Sequence, residues 1–229
     1  MEYLCVLFFP VEIILGYRYM KYGEMRNKLL ASVPFVAVGI YLTLAGSPGS
    51  TVYAALIIAG LVASFVGDWA LGFDLFGMKG LPGIASFALA HLLYISAFAV
   101  RVPLTVRDLW LILPWAAMLA GEITLKSRLK IDLGATAPAV LIYAMIIDTM
   151  VLFGIRAAVM TMNGGMSVVR SLVLIAGVVM FIVSDAGVCL MMFDGRKEIT
   201  VKGRAIKLDP VNIFNYCGGQ MLIAASVLL

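Results

Sequence analysis

The chain has 229 residues, of which 63% are hydrophobic and 13% charged, with a mean hydropathy of +1.05 and a formal net charge of +4. Soluble domains run near 45–50% apolar and about 25% charged, which excludes a soluble globular or disordered class. The basic residues gather between apolar stretches, so they mark loops held on one side of a membrane and give no reason to invoke a nucleic-acid partner.

A spanning helix needs about 20 mainly apolar residues. In chain order, eight segments qualify: 3–20, 29–46, 52–74, 82–100, 108–123, 136–156, 168–193 and 210–228. They predict an all-α polytopic membrane protein forming one transmembrane domain over 1–229. The first segment has no basic leader and no A-x-A site, so it is expected to stay as a helix. Turn formers separate the spans at Gly46-Ser47-Pro48-Gly49, Gly77 to Pro82, Asn163-Gly164-Gly165 and Asp209-Pro210. Cys5, Cys189 and Cys217 fall in apolar runs without paired spacing and read as small core residues.

Alternate connections carry the positive charge. The first, third, fifth and seventh hold Arg18, Lys21, Arg26 and Lys28, then Lys79, then Lys126, Arg128 and Lys130, then Arg196, Lys197, Lys202, Arg204 and Lys207. That is 13 of the 17 basic residues, and it predicts that these connections are cytoplasmic and both termini lie outside. The expected setting is multi-pass insertion in a bacterial cytoplasmic membrane.

Spans 3 and 7 each hold an aspartate in a matching phrase, Val66-Gly67-Asp68 and Val183-Ser184-Asp185. Each is followed eight residues later by a phenylalanine, Phe76 and Phe193, and then by a Gly/Lys/Arg segment. The offset of 117 residues predicts an internal duplication, with half-repeats of about 1–107 and 108–229 running parallel as two four-helix units. Charged groups at membrane depth cost several kcal/mol and persist mainly where they have work to do. At the 1.5 Å rise of a helix, each aspartate is expected roughly 12 Å from the cytoplasmic end of its span. His91 and Gln220 come out at roughly 13–15 Å, with Asp148 of span 6 at comparable depth. One polar layer in the inner half of the bilayer follows.

Span 4 carries Phe87 and then His91-Leu92-Leu93-Tyr94, and span 8 carries Tyr216-Cys217-Gly218-Gly219-Gln220. His91 and Tyr94 share one helix face, as do Tyr216 and Gln220. Taken in order, a GD near the end of one span, an F…H-x-x-Y, an SD and a late Y-x-x-x-Q resemble the YhhN/TMEM86 family of membrane lysoplasmalogenases. The segment around Pro138, with Tyr143 and Met150, is similar to that family's sixth span. The resemblance implies cleavage of the vinyl-ether bond of a lysoplasmalogen, releasing a fatty aldehyde and a glycerophospho-ethanolamine or -choline.

The residues suit that chemistry on their own terms. Vinyl-ether hydrolysis protonates the carbon β to oxygen, and water captures the resulting oxocarbenium ion. Two carboxyl groups in unequal surroundings supply an acid and a base, as in glycoside hydrolysis. Asp68 and Asp185 are therefore the expected acid/base pair, with His91, Tyr94, Asp148, Tyr216 and Gln220 as supporting groups. Arg26, Lys28, Lys79 and Arg196 are candidate phosphate contacts, although holding the topology is the favoured explanation of them. No metal or organic cofactor is called for. The partners are then a lysophospholipid substrate and the bilayer, while oligomeric state stays open. The main alternative is a transporter of a small solute or protons using the same buried acids.

Overall fold

The computed structural model of the chain describes residues 7–46, 50–71, 73–75, 78–201 and 204–228. Its eight helices are α1 (Phe8–Tyr22), α2 (Met25–Ala45), α3 (Thr51–Ala70), α4 (Leu81–Arg101), α5 (Ile112–Leu129), α6 (Ala137–Asn163), α7 (Val168–Phe193) and α8 (Leu208–Ala225). Seven helical segments among the described residues are long and apolar enough to cross a membrane. The remaining helix, α1, has 15 described residues, and the expected helical start at 3 and Cys5 lie outside the described part.

Two short hairpins were not anticipated. β1 (Asp74–Leu75) pairs with β2 (Met78–Lys79), and β3 (Glu198–Val201) pairs with β4 (Arg204–Lys207). The first corrects the expected span 52–74, because α3 stops at Ala70 and the chain turns back. The turn closes where the Gly80 N–H donates to the Phe73 carbonyl at 2.9 Å. Gly80 has φ +81°, the left-handed region where a Cβ is unfavourable, and it starts α4 there. Asp68 therefore sits just before its helix ends, whereas α7 continues from Asp185 to Phe193. The equal depths expected by counting to the two phenylalanines do not hold, and Phe76 itself lies outside the described residues. At the other extreme α6 runs on to Asn163 rather than stopping at 156.

The helices pack in a closed circuit, α2–α3–α4–α6–α7–α8 and back to α2, with α1 against α2 and α8 and α5 against α6. Apart from the packing of α8 on α1 and α3, this network maps onto itself four helices on. α3 on α4 corresponds to α7 on α8, α2 on α3 to α6 on α7, α4 on α6 to α8 on α2, and α1 on α2 to α5 on α6. Close approach rests on small residues. A Cβ on Gly219 would stand 3.0 Å from the Gly177 carbonyl oxygen, so α7 and α8 meet backbone to backbone. The apolar core runs through the middle of the circuit, with Tyr53, Phe35, Phe98, Phe181, Met150 and Met221 fully buried. In contrast α5 buries none of its residues, which leaves it a peripheral helix.

Candidate active site

Where the α1–α2, α3–α4, α5–α6 and α7–α8 connections gather, a cavity of about 580 Å³ enters the circuit. Asp68 and Asp185 both line it, together with Lys28, Tyr143, Asn212 and Tyr216 from α2, α6 and α8. Apolar walls come from Leu71, Ile84, Phe87, Val140, Val188 and Met192.

Asp68 is 2% exposed and takes three donors. The Lys28 ammonium stands 3.3 Å from Oδ1, while the Ser32 hydroxyl donates to Oδ2 at 2.6 Å and the Tyr216 hydroxyl donates to the same oxygen at 2.5 Å. Lys28 and Ser32 are four residues apart on α2, one turn, so a single helix face presents both. The ring of Tyr216 is held edge-on by Phe35, Phe87 and Phe181 at centroid separations of 5.8, 6.0 and 5.7 Å. Such packing fixes where its hydroxyl points.

Asp185 is furnished differently. Its side chain is 18% exposed, accepts a hydrogen bond from the Tyr143 hydroxyl, and lies 3.6 Å from His91 Nε2. His91 Nε2 is also 2.9 Å from the Tyr143 oxygen, so imidazole, phenol and carboxyl form a closed triangle. His91 is fully buried, with its ring 4.8 Å from that of Phe181 in an edge-on contact. The two sets of neighbours correspond. Asp68 on α3 is served from α2 and α8, and Asp185 on α7 from α6 and α4, the helices four further on.

Other expected residues fall elsewhere. Tyr94 donates to Gln220 Oε1 at 2.8 Å, both fully buried behind the cavity and neither lining it. Asp148 is buried without a hydrogen-bond partner among the described residues, and it does not reach the cavity. Its departure from the expected layer has a simple cause: five residues beyond Tyr143 turn it well away from the face that Tyr143 presents. Arg26 is exposed and Arg196 pairs with Asp194, so neither joins the cavity, and the side chain of Lys79 lies outside the described residues. Of the three whose side chains are described, Lys28 alone is placed at the site, where it also pairs with Asp68.

The sequence reading missed Ser32, Asn212 and the role of Tyr143. A signal existed for two of them. Ser32 is one turn from Lys28, and Asn212 begins the stripe Asn212, Tyr216, Gln220 at four-residue spacing. Asn212 donates to the carbonyl and hydroxyl oxygens of Ser184 at 2.8 and 2.9 Å, tying α8 to α7 beside Asp185. For Tyr143 no such signal is present, because its partners come from α4 and α7.

The model of the YhhN family matches residues 28–227, and the chain belongs to that family. No curated protein and no solved structure matches it.

Proposed function

We propose that the protein is a membrane hydrolase of lysoplasmalogen type, cleaving a vinyl-ether bond by acid/base catalysis between Asp185 and Asp68. The observation that carries this reading is one cavity lined by two carboxyl groups with unequal donor sets. Family membership supports the same reaction class.

Asp68 is the base. Three donors, one of them an ammonium, are used in full only by an ionised carboxylate, which accepts and never donates. Asp185 is assigned as the acid, since among the described residues no Lys or Arg stands at hydrogen-bond distance from it and its open side faces the cavity. In the proposed reaction Asp185 gives its proton to the alkene carbon β to the ether oxygen, and the adjoining carbon and oxygen share the positive charge. The Asp68 carboxylate stabilises that charge and takes a proton from the attacking water. The hemiacetal then loses its hydroxyl proton as the glycerol oxygen leaves protonated, giving the aldehyde and restoring both carboxyl groups. Tyr143 and His91 orient Asp185 and return its proton, while Ser32, Tyr216 and Lys28 hold Asp68. With the positive-inside orientation, the cavity opens to the cytoplasmic face.

Incubating the purified protein with a lysoplasmalogen and measuring aldehyde release tests this directly. Turnover that is absent with lysoplasmalogens, alongside solute or proton uptake into reconstituted vesicles, would replace the hydrolase by the carrier.

A further inference from the structure

The cavity is charged at two levels, and the proposed chemistry uses only the inner one. Asp209 also lines it, at the mouth, and no proposed step involves this carboxylate. On α8, residues 209, 212, 213 and 216 all line the cavity, spaced as one face of a helix. From Tyr216, which holds Asp68, back to Asp209 is seven residues, or roughly 10 Å along the axis. Lys28 stands beside Asp68, with its ammonium 3.3 Å from Oδ1, and its side chain is 18% exposed, which leaves ammonium protons to face the cavity. Tyr19, from the end of α1, completes the mouth. Besides the reactive pair, the cavity therefore carries a cation beside Asp68 and an anion, Asp209, at the start of α8.

A substrate whose vinyl-ether oxygen lies at the aspartates must place its headgroup along this path. From that oxygen, about nine bonds lead through glycerol and phosphate to an amine nitrogen, and an extended chain advancing about 3.5 Å per three bonds covers about 10 Å. That length matches the rise along α8 from Tyr216 back to Asp209, and the phosphate falls partway, within reach of an ammonium that extends from beside Asp68. The geometry points to Asp209 as the site for the cationic end of a zwitterionic headgroup, an ethanolamine or choline ammonium, with Lys28 on its phosphate. Asp209 is then a specificity residue that rejects lysolipids lacking the amine.

This inference rests on the proposed lysolipid substrate but not on the reaction, so binding tests it apart from turnover. The probes are saturated 1-O-alkyl lysolipids, which have no vinyl ether to cleave, carrying phosphoethanolamine, phosphocholine or bare phosphate. Binding to the full-length protein in uncharged detergent micelles is followed by competition with a fluorescent lysolipid. The expected result is that Asp209→Asn weakens binding of the two amine-bearing lipids about 5–10-fold and leaves or strengthens that of the bare phosphate, while Asp209→Glu keeps the discrimination. Asp209 also sits in the first turn of α8, where a carboxylate favours the helix. If that were its whole role, Asp209→Asn would move all three probes equally. Equal loss, no loss, or wild-type protein that fails to prefer the amine-bearing lipids each overturns the proposal. Failure of the hydrolase reading would show instead as intact headgroup discrimination with no aldehyde from vinyl-ether lipids.

Discussion

Replacing Tyr143 by Phe removes one oxygen from the site and keeps the ring that packs 5.4 Å from His91. That oxygen donates to Asp185 and meets His91 Nε2 at 2.9 Å, so the variant takes one donor from the carboxyl group and one partner from a fully buried imidazole. Asp185 keeps only His91 at 3.6 Å, beyond hydrogen-bond distance, and water entering the cavity restores part of the loss. A hydrogen bond to a charged or ionisable group contributes about 1.5–3 kcal/mol. If it orients Asp185 for proton transfer, kcat falls by that free energy, about 10- to 150-fold, while KM moves little. Stability should change less, by about 1 kcal/mol, because Asp185 is partly open to solvent. The assay is initial rates of aldehyde release from a lysoplasmalogen, compared with the midpoint of thermal unfolding. Combining the change with Asp185→Asn makes the test stricter. A hydroxyl that acts through Asp185 has nothing further to lose once the carboxyl is gone, so the double variant should match Asp185→Asn alone. Retention of kcat within about threefold, or losses that add in the double variant, would refute the relay.

Asp68→Asn and Asp185→Asn should each cut turnover to a small residual rate yet still bind a saturated ether lysolipid, since the amide keeps the shape without acting as acid or base; near-normal turnover in both removes the catalytic assignment. In Gly60→Ala the new Cβ would meet the Tyr94 ring at 2.3 Å, so the packed core must shift, with an expected loss of about 1–3 kcal/mol read by thermal unfolding. An unchanged Tm there would mean that α3 and α4 are not held as closely as described. Arg156 on α6 spans Asp108 at 2.5 and 2.8 Å and the carbonyls of Val102 and Pro103 at 2.7 and 2.9 Å, far from the aspartates. Arg156→Met should therefore lower Tm while the folded fraction keeps its turnover per molecule, and a selective fall in kcat would show that this end of the bundle bears on the chemistry.

The membrane class and nearly all the spans were legible because hydropathy reports a bulk property of 20 residues at a time. The end of α3 and the hairpins that follow α3 and α7 were not. Phe73 and Leu75 extend the apolar run past Ala70, so a count of apolar residues cannot see the chain reverse, although Gly77 and Gly80 were already marked as turn formers. Side-chain partners divided along a sharper line. That His91 shares a face with Tyr94, and Tyr216 with Gln220, can be read from the sequence, since spacing of three or four residues is a property of one helix. The bonds that build the site run between helices: Tyr216 to Asp68, Tyr143 to Asp185, Tyr94 to Gln220. Those depend on helix rotation and neighbour order, which no single-span pattern encodes. Lys28 shows the same limit. Its charge explained topology well enough in sequence, and only the packing of α2 on α3 reveals that it faces a buried carboxylate.

The matched neighbourhoods also bear on how one cavity obtains both an acid and a base. Two copies of a four-helix unit placed face to face would deliver two equivalent aspartates, and equivalent groups cannot divide the work of proton donation and acceptance. Here the contacts around each aspartate come from corresponding helices, but the residues on those helices differ. Where α2 offers an ammonium and a hydroxyl to Asp68, α6 offers a phenol to Asp185, and where α8 offers a phenol to Asp68, α4 offers an imidazole to Asp185. Among the described residues, Asp68 has an ammonium in its donor set and Asp185 has a phenol. In the proposed mechanism the backbone arrangement would supply proximity, and the residues that differ between corresponding helices would supply the difference in chemistry that acid/base catalysis needs.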